Sequence, residues 1–241
     1  MSWLDSLRRS PERQIARLRK KVKEPHGDPS IRQGAAEKLF AMGTPEAWRA
    51  LLDRFTISVS PSVQDEAEKQ ELFDWFVNAG SRAVEPLVSF IKSERAVYWP
   101  VRILQEILEP TRQAELFSQI LQDLWENPPA SAIPKVQLLQ AVGELYSPEL
   151  DLAVRRFLED QDDDVRLAAV RWLLNRPEEE AREAILRCYL ESEDRPRVRN
   201  HILQYLAEKG WSVRGFRPAV EESLPEGFML TREGKIRRVG T

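Results

Sequence analysis

The residue types best suited to catalysis or metal binding are scarce in this chain of 241 residues. It contains two histidines, His26 and His201, and one cysteine, Cys188. A zinc site needs several His or Cys ligands close together, and a cysteine nucleophile needs a neighbouring base. His26 lies in a segment rich in proline and glycine, whereas Cys188 falls with Ile185 and Leu186 on the apolar face of a predicted helix. All three residues are therefore predicted to be structural, and no metal or cofactor is expected.

Two acidic runs, Asp162–Asp164 and Glu178–Glu180, offer carboxylates that could serve acid–base catalysis or metal binding. Each run stands at the start of a predicted helix. Carboxylates there complement the partial positive charge of the helix end and contribute about 0.3–1 kcal/mol each, which accounts for both runs. The chain also lacks a phosphate-binding loop and a dinucleotide fingerprint. No catalytic residue is predicted, and the chain is expected not to be an enzyme.

Tryptophan side chains could also form a binding surface, and the chain has seven. Trp48 and Trp172 follow the spacing of the apolar core positions. Trp99 and Trp125 lie at the edges of predicted helices in the least regular repeat. Most of the tryptophans are therefore predicted to be packing residues, with Trp99 and Trp125 the least regular.

The chain contains several copies of one predicted helix. The segment Asp162–Pro177 has counterparts upstream and downstream that match it at four positions and end at a glycine. The matched positions are Ile31, Val165 and Val198, then Arg32, Arg166 and Arg199, then Ala35, Ala169 and Ile202, then Leu39, Leu173 and Leu206, with helix breakers at Gly43, Pro177 and Gly210. The last two copies are roughly 33 residues apart, and a period in the 30s is typical of stacked helical repeats.

This pattern resembles the first helix of the HEAT repeat, particularly the short HEAT-like repeat of phycobilisome lyases. The signature Asp-x-x-Val-Arg-x-x-Ala-x-x-x-Leu, followed by Gly or Pro, matches well at 28–43 and 162–177 and more loosely at 194–210. The whole chain is also similar to a group of uncharacterised bacterial HEAT-repeat proteins. The resemblance implies a helical array that binds macromolecules. It implies no catalytic residue, because the repeat motif is structural.

The predicted fold is all-α, a right-handed α-solenoid of five to six HEAT-like helical hairpins with a small C-terminal β-hairpin cap. Residues 1–27 are predicted to form a basic N-terminal capping helix. Residues 28–224 are predicted to form the HEAT-like repeat array, and residues 225–241 the β-hairpin tail that covers the last repeat. Terminal repeats of such arrays need a closing cap, which is the role expected for the tail.

Local signals fix several boundaries within this arrangement. In the tail, Glu233–Gly234 is predicted as a two-residue turn that brings Leu230 and Ile236 onto one face. Side-chain oxygens that precede predicted helices serve as N-caps, which satisfy free backbone N–H groups. The predicted N-caps include Ser10, Thr44 and Ser147.

The charge of the chain is unevenly distributed. The formal net charge is −3, but residues 1–23 carry about +6 and the last thirteen residues about +3, which leaves about −12 for the residues between. No stretch approaches the roughly 20 apolar residues of a membrane-spanning helix. The N-terminus lacks the pattern of a secretory signal, and a single cysteine excludes an intramolecular disulfide. A cytoplasmic protein that does not contact a membrane is expected.

The predicted function is non-catalytic protein binding, as a scaffold or adaptor that uses the curved surface of the array. The second helix of each pair is expected to present the partner-binding surface. Its apolar positions are used in packing, so the remaining side chains are predicted to form a ladder of mixed charge. The predicted ladder residues are Arg49, Asp53, Arg82, Glu85, Arg155, Glu159, Arg182 and Glu183.

Two alternatives from other functional classes remain open at this point. One is a nucleic-acid-binding protein or DNA glycosylase built from HEAT-like repeats, which would need a basic surface stripe. The acidic charge of the repeats opposes this alternative, because phosphate contacts dominate nucleic-acid affinity. The other is a lyase or chaperone for a chromophore-bearing protein, which would need a deep apolar groove.

Overall fold

The computed structural model describes residues 10–94 and 96–239. The described chain is mostly helical and contains one two-stranded antiparallel sheet. Its contacts divide it into two compact units, of which the first extends to Gln113 and the second begins at Ala114. Residues 1–9 of the predicted capping segment and residues 240–241 of the predicted tail lie outside the described residues. Among the described helices, none has both the length and the apolar character needed to cross a membrane.

The first unit consists of helices joined by short loops and 3-10 turns. The N-terminal helix α1 packs against both α2 and α3, and α5 packs against α3 and α6. The helices are α1 (Pro11–Val22), α2 (Pro29–Met42), α3 (Pro45–Leu51), α4 (Ser62–Ala79), α5 (Val84–Ser93) and α6 (Tyr98–Ile107), with 3-10 turns at Leu52–Thr56 and Gly80–Ala83.

The second unit places three helices side by side, because α10 packs against α8 on one flank and α12 on the other. Helix α7 (Pro110–Glu126) begins within the first unit and has most of its length in the second. The remaining elements are α8 (Ile133–Ala141), α9 (Pro148–Arg156), a 3-10 turn at Phe157–Glu159, α10 (Asp163–Leu173), α11 (Glu178–Leu190), α12 (Pro196–Lys209), α13 (Arg217–Glu222), β1 (Phe228–Leu230) and β2 (Ile236–Arg238).

The predicted helix starts are confirmed by hydrogen bonds. The Ser10 hydroxyl accepts from the backbone N–H of Arg13 at 3.4 Å, and the Ser147 hydroxyl accepts from Leu150 at 3.1 Å. Thr44 caps α3 in the same way. Each cap satisfies one of the N–H groups that a helix start leaves without an intrahelical partner.

Two of the four aligned positions are buried in every copy of the repeat. Ala35, Leu39 and their counterparts in α10 and α12 are all buried. At the first position Val165 and Val198 are buried, whereas Ile31 is 53% exposed. The 3-10 turn Phe157–Glu159, with Phe157 and Leu158 buried, packs against α10. The largely exposed loop at 24–28 precedes α2 and leaves Ile31 in contact with solvent.

The C-terminal strands form the predicted hairpin with a different turn. Leu230 pairs with Ile236, so the two side chains share a face, and β2 packs against α12. The two-residue turn is wrong: the N–H of Thr231 donates to the carbonyl of Lys235 at 2.9 Å, which leaves a loop of three residues, 232–234. Gly234 has a φ of 77°, the left-handed conformation that such a loop requires at its last residue.

Candidate functional site

The arginine of each repeat copy has a structural role. In α2, Arg32 donates to the carbonyls of Glu24 and Gly27, in the loop before its own helix. In α10, Arg166 donates to the carbonyl of Asp160 at 2.6 Å and to the Ser192 hydroxyl at 3.1 Å. These contacts satisfy buried backbone oxygens and fasten each helix to the chain around it. The repeat arginines are therefore not available to a ligand.

Arg32 also belongs to a buried network of charges in the first unit. It binds Glu68 through two parallel hydrogen bonds of 2.7 Å each. Arg54 donates to Glu68 at 2.9 Å and to Asp65 at 2.8 Å, and Lys69 donates to Asp65 at 2.6 Å. Three cations thus surround two carboxylates on α4. Each charged group has a close partner, as buried charges require, so the network stabilises the fold and offers no free group for chemistry.

The network makes the stability of the first unit depend on pH. Burial raises the pKa of Asp65 and of Glu68, but the hydrogen bonds from Lys69, Arg54 and Arg32 outweigh it and hold both pKa values below the ordinary range. A carboxyl with a lowered folded-state pKa stabilises the fold fully above its unfolded pKa, about 4. That stabilisation is lost as the pH falls through the lowered value. We therefore expect urea midpoints that are steady from pH 7 to about pH 5 and fall steeply below about pH 4. A midpoint that does not change down to pH 2 would contradict this assignment.

Asp53 corrects the predicted ladder, because it is fully buried and cannot belong to an exposed surface. Its carboxylate accepts hydrogen bonds from Arg49, at 3.2 Å, and from Arg19 of α1, while Lys23 lies 3.5 Å away. The carboxylate therefore fixes the basic helix α1 to the 3-10 turn that follows α3. The spacing of Asp53 on a predicted helix gave no sign of this, because its partners come from another element.

The other ladder residues of the first unit are more accessible. Arg49 reaches the hydroxyl of Ser93 at 2.8 Å and the carboxylate of Glu94 at 2.9 Å, so it links two helix pairs. Arg82 is exposed and its guanidinium carbon lies 5.1 Å from the centre of the Trp48 ring. Glu85 is exposed.

In the second unit the ladder residues are mostly paired with neighbours on their own helices. Arg155 binds Asp151 at 2.6 Å, and Arg182 binds Glu178 at 3.1 Å. Glu183 pairs with Arg187 of the same helix at 2.7 Å. Glu159 is exposed. Of this group, Glu159 is the residue that lines a cavity.

The predicted structural assignment of Cys188 agrees with its surroundings. The side chain is buried, and its sulfur lies 3.5 Å from the carbonyl oxygen of Leu158. Burial raises the pKa of the thiol, which disfavours the reactive thiolate. Within the described residues no group of three or more His, Cys, Asp or Glu side chains is placed to hold a metal ion.

An open site of the second unit is a groove along α8, α10 and α12 that extends to Trp125 near the end of α7. We define the groove as two adjoining cavities of ≈ 520 Å³ and ≈ 580 Å³ that share Ala132 and Asp162. Because α10 packs between α8 and α12, the three helices form a continuous floor. The groove therefore lies on first helices of the repeat, whereas the predicted binding surface was on second helices.

One end of the groove is acidic and carries an aromatic wall. Lys135 and Asp160 are both buried there and form an ion pair of 2.7 Å, so their charges offset each other. Glu159 and Asp162 line the same cavity and add two negative charges. Trp125 is half-buried and forms a wall, with its ring set edge-on to Phe157 of the core at a centroid distance of 5.6 Å. Asp162 also lines the second cavity, so it lies at the junction of the two. The end defined by Trp125 and Glu159 is called the acidic end below.

The opposite end carries basic groups. Arg171 donates from Nε to the hydroxyl of Tyr205 at 2.7 Å, and Arg197 forms a salt bridge with Asp164. His201 places Nδ1 2.8 Å from the carbonyl oxygen of Arg197, which only accepts, so Nδ1 carries the proton in this hydrogen bond. This end is called the basic end below.

The middle of the groove is apolar. Ile133 is 51% exposed at the start of α8, and Leu167 forms part of the floor beneath it. Sequence reasoning missed this site because its lining comes from several separate elements, among them α7, α8, α10 and α12. The one sequence signal was Trp125, which lies at the edge of a predicted helix.

Comparisons with known proteins gave no match: no family model, no curated protein and no solved structure matches the chain. The interpretation of the groove therefore depends on the residues that line it. Those residues combine an exposed apolar centre with charged ends of opposite sign.

Proposed function

We propose that the chain is a non-catalytic scaffold or adaptor, built as a HEAT-like repeat array, and that it holds an extended peptide segment of a partner protein in the groove of the second unit. The observation that carries the proposal is the pair of adjoining cavities on α8, α10 and α12, with Ile133 exposed between charged ends. Such a site suits a peptide, whose successive side chains differ in charge and polarity.

The pairing of Lys135 and Arg197 with carboxylates supports binding over catalysis. Lys135 is held by Asp160, and Arg197 by Asp164, so these groups are neutralised by fixed partners. A general acid or base instead needs a group poised to exchange a proton with a substrate. The groove offers apolar contact and charge, which are the ingredients of selective binding.

The two alternative functions fit this groove less well. A nucleic-acid site requires an excess of basic residues along the phosphate path, whereas Glu159 and Asp162 make one end acidic. A bound chromophore would require a deep apolar pocket, whereas charged side chains line both ends of the groove. A peptide with polar and apolar side chains matches the lining more closely than either.

We expect Ile133→Asp to weaken peptide binding about tenfold, because it places a charge at the apolar centre of the groove. The peptides would be selected from a phage-displayed random library on the unmodified protein. Affinities would then be measured by fluorescence anisotropy with synthetic labelled copies. Leu152→Asp is the matched control, since Leu152 is 65% exposed on α9 and does not line the groove.

Two outcomes would oppose the proposal. One is a selection that enriches no peptide above background, and the other is equal binding by the Ile133→Asp and Leu152→Asp variants. The thermal melting of both variants would be compared with that of the unmodified protein, so that lost binding is not confused with lost folding. A labelled DNA duplex, measured in parallel at physiological salt, is expected not to bind.

A further inference from the structure

We infer that the groove binds its peptide in one direction, with a basic side chain at the acidic end, an apolar side chain over Ile133 and an acidic side chain at the basic end. This inference rests on the proposed function and specifies the partner chemistry of the same site. It follows from the charges that remain on each end after the internal ion pairs are taken into account.

At the acidic end the carboxylate of Glu159 remains, and Asp162 adds a second negative charge at the junction with the other cavity. Lys135 forms an ion pair with one carboxylate oxygen of Asp160. The other carboxylate oxygen of Asp160 accepts a hydrogen bond from the backbone N–H of Asp162 at 3.0 Å. Among the described residues, neither Glu159 nor Asp162 forms a salt bridge. Asp162 caps α10 through one carboxylate oxygen, which accepts from Asp164 and Val165. The acidic end therefore attracts a cation.

The aromatic wall strengthens this preference and restricts it to a side chain. Trp125 lines the same cavity as Glu159 and Asp162. The face of an indole ring attracts an ammonium or guanidinium group and also packs against the methylene carbons of Lys or Arg. Pro128 and Pro129 add apolar surface beside it. A basic side chain satisfies all of these groups together, whereas a small metal cation would use only the carboxylates.

Among the residues described at the basic end, the cation without a carboxylate partner is Arg171, while Asp162 belongs to the junction that both cavities share. The guanidinium of Arg171 bonds to the phenol of Tyr205 and lies 5.7 Å from the centre of that ring, so its charge is not offset by a carboxylate there. Arg197 is offset by Asp164, and about half of each side chain is exposed. The residual charge is opposite in sign to that of the acidic end, so a carboxylate is the complementary guest.

Opposite charges at two ends fix direction as well as affinity. A peptide bound in reverse would place its carboxylate against Glu159 and its cation against Arg171, and like charges brought together are penalised. The apolar side chain between them keeps the contact with Ile133 in either orientation. Direction is therefore set by Glu159 and Arg171, and affinity in part by Ile133.

The test is a charge exchange at each end, with peptide selection repeated on each variant. On the unmodified protein we expect enrichment of Arg or Lys at one position and of Asp or Glu at another on the opposite side of an apolar residue. Glu159→Lys should replace the basic preference by an acidic one and leave the other position unchanged. Arg171→Glu should do the reverse. Glu193→Lys, in the exposed turn after α11 and outside the groove, is the matched control and should select the original motif.

Affinity gives a second measurement. For a peptide selected on the unmodified protein, Glu159→Lys should raise Kd about fivefold, which corresponds to roughly 1 kcal/mol for an exposed ion pair. The effect should vanish when the basic residue of the peptide is replaced by norleucine, and it should shrink as salt is added.

The outcomes separate this inference from the proposed function. If Ile133→Asp abolishes binding but Glu159→Lys selects the original motif, the directional inference is wrong and the groove remains the binding site. If the selected peptides carry no charge preference, the inference is equally overturned. If Ile133→Asp leaves binding intact, the proposed function itself fails, and the inference fails with it.

Discussion

Leu173→Ala is expected to lower the free energy of unfolding of the second unit by about 2–5 kcal/mol, the cost of removing a buried leucine side chain. Leu173 is fully buried near the end of α10, and its counterparts Leu39 and Leu206 are fully buried as well. Because α10 packs between α8 and α12, a cavity at this position is bordered by well-packed elements and cannot collapse easily. Urea unfolding followed by far-UV circular dichroism would measure the shift in midpoint.

Leu152→Ala provides the comparison for this measurement. Leu152 is 65% exposed on α9, so the same substitution removes little buried surface and should change stability by less than about 0.5 kcal/mol. If the two variants shift the midpoint equally, the position assigned to Leu173 in the core is incorrect. The slope of the transition should stay constant, since neither change alters the surface exposed on unfolding.

Glu68→Gln is expected to cost about 3–5 kcal/mol, because it leaves buried guanidinium groups without their carboxylate. Glu68 accepts two hydrogen bonds from Arg32 and one from Arg54, and both arginines are buried. The substitution preserves the size of the side chain, so the loss reports on charge rather than on packing. Removing the carboxylate would leave Arg32, Arg54 and Lys69 around a single anion, Asp65.

Glu66→Gln is the matched control for Glu68→Gln. Glu66 lies two residues earlier on α4 and is exposed, so the change should stay within about 0.5 kcal/mol. Both variants would be measured at pH 7 and again near pH 3. At low pH the difference between Glu68→Gln and the unmodified protein should narrow, because protonation then neutralises Glu68 as well. A difference that stays constant with pH would show that shape, rather than charge, explains the loss.

The local signals in the sequence predicted the helix starts and the repeat core because their causes are local. Ser10 and Thr44 bond to backbone groups three residues away, and Leu173 follows the helical spacing of Val165 and Ala169. The exposure of Ile31 could not be predicted in this way, because it depends on the loop before α2, which the alignment of helices does not describe. The hairpin turn failed for a similar reason, since Glu233–Gly234 is compatible with loops of two or three residues.

The candidate site was harder to predict because its chemistry depends on contacts between distant parts of the chain. Asp53 has the same helical spacing as an exposed residue, and only its contact with Arg19 of α1 explains its burial. Lys135 is neutralised by Asp160, 25 residues later, and this pairing decides the charge of the acidic end. Such pairs have no period in the sequence, so the groove could be found only once the helices were placed.

The contacts of Arg166 determine which stretch of chain could be duplicated or deleted without damage. This side chain joins the carbonyls of Glu159 and Asp160 to the hydroxyl of Ser192, beyond the end of α11. A cut between these points would separate a buried guanidinium from its acceptors. Residues 159–192 therefore form the segment that could be duplicated or deleted as one piece. During evolution or protein engineering, copies with boundaries at those residues keep Arg166 together with its acceptors, whereas copies with boundaries at the termini of α10 do not.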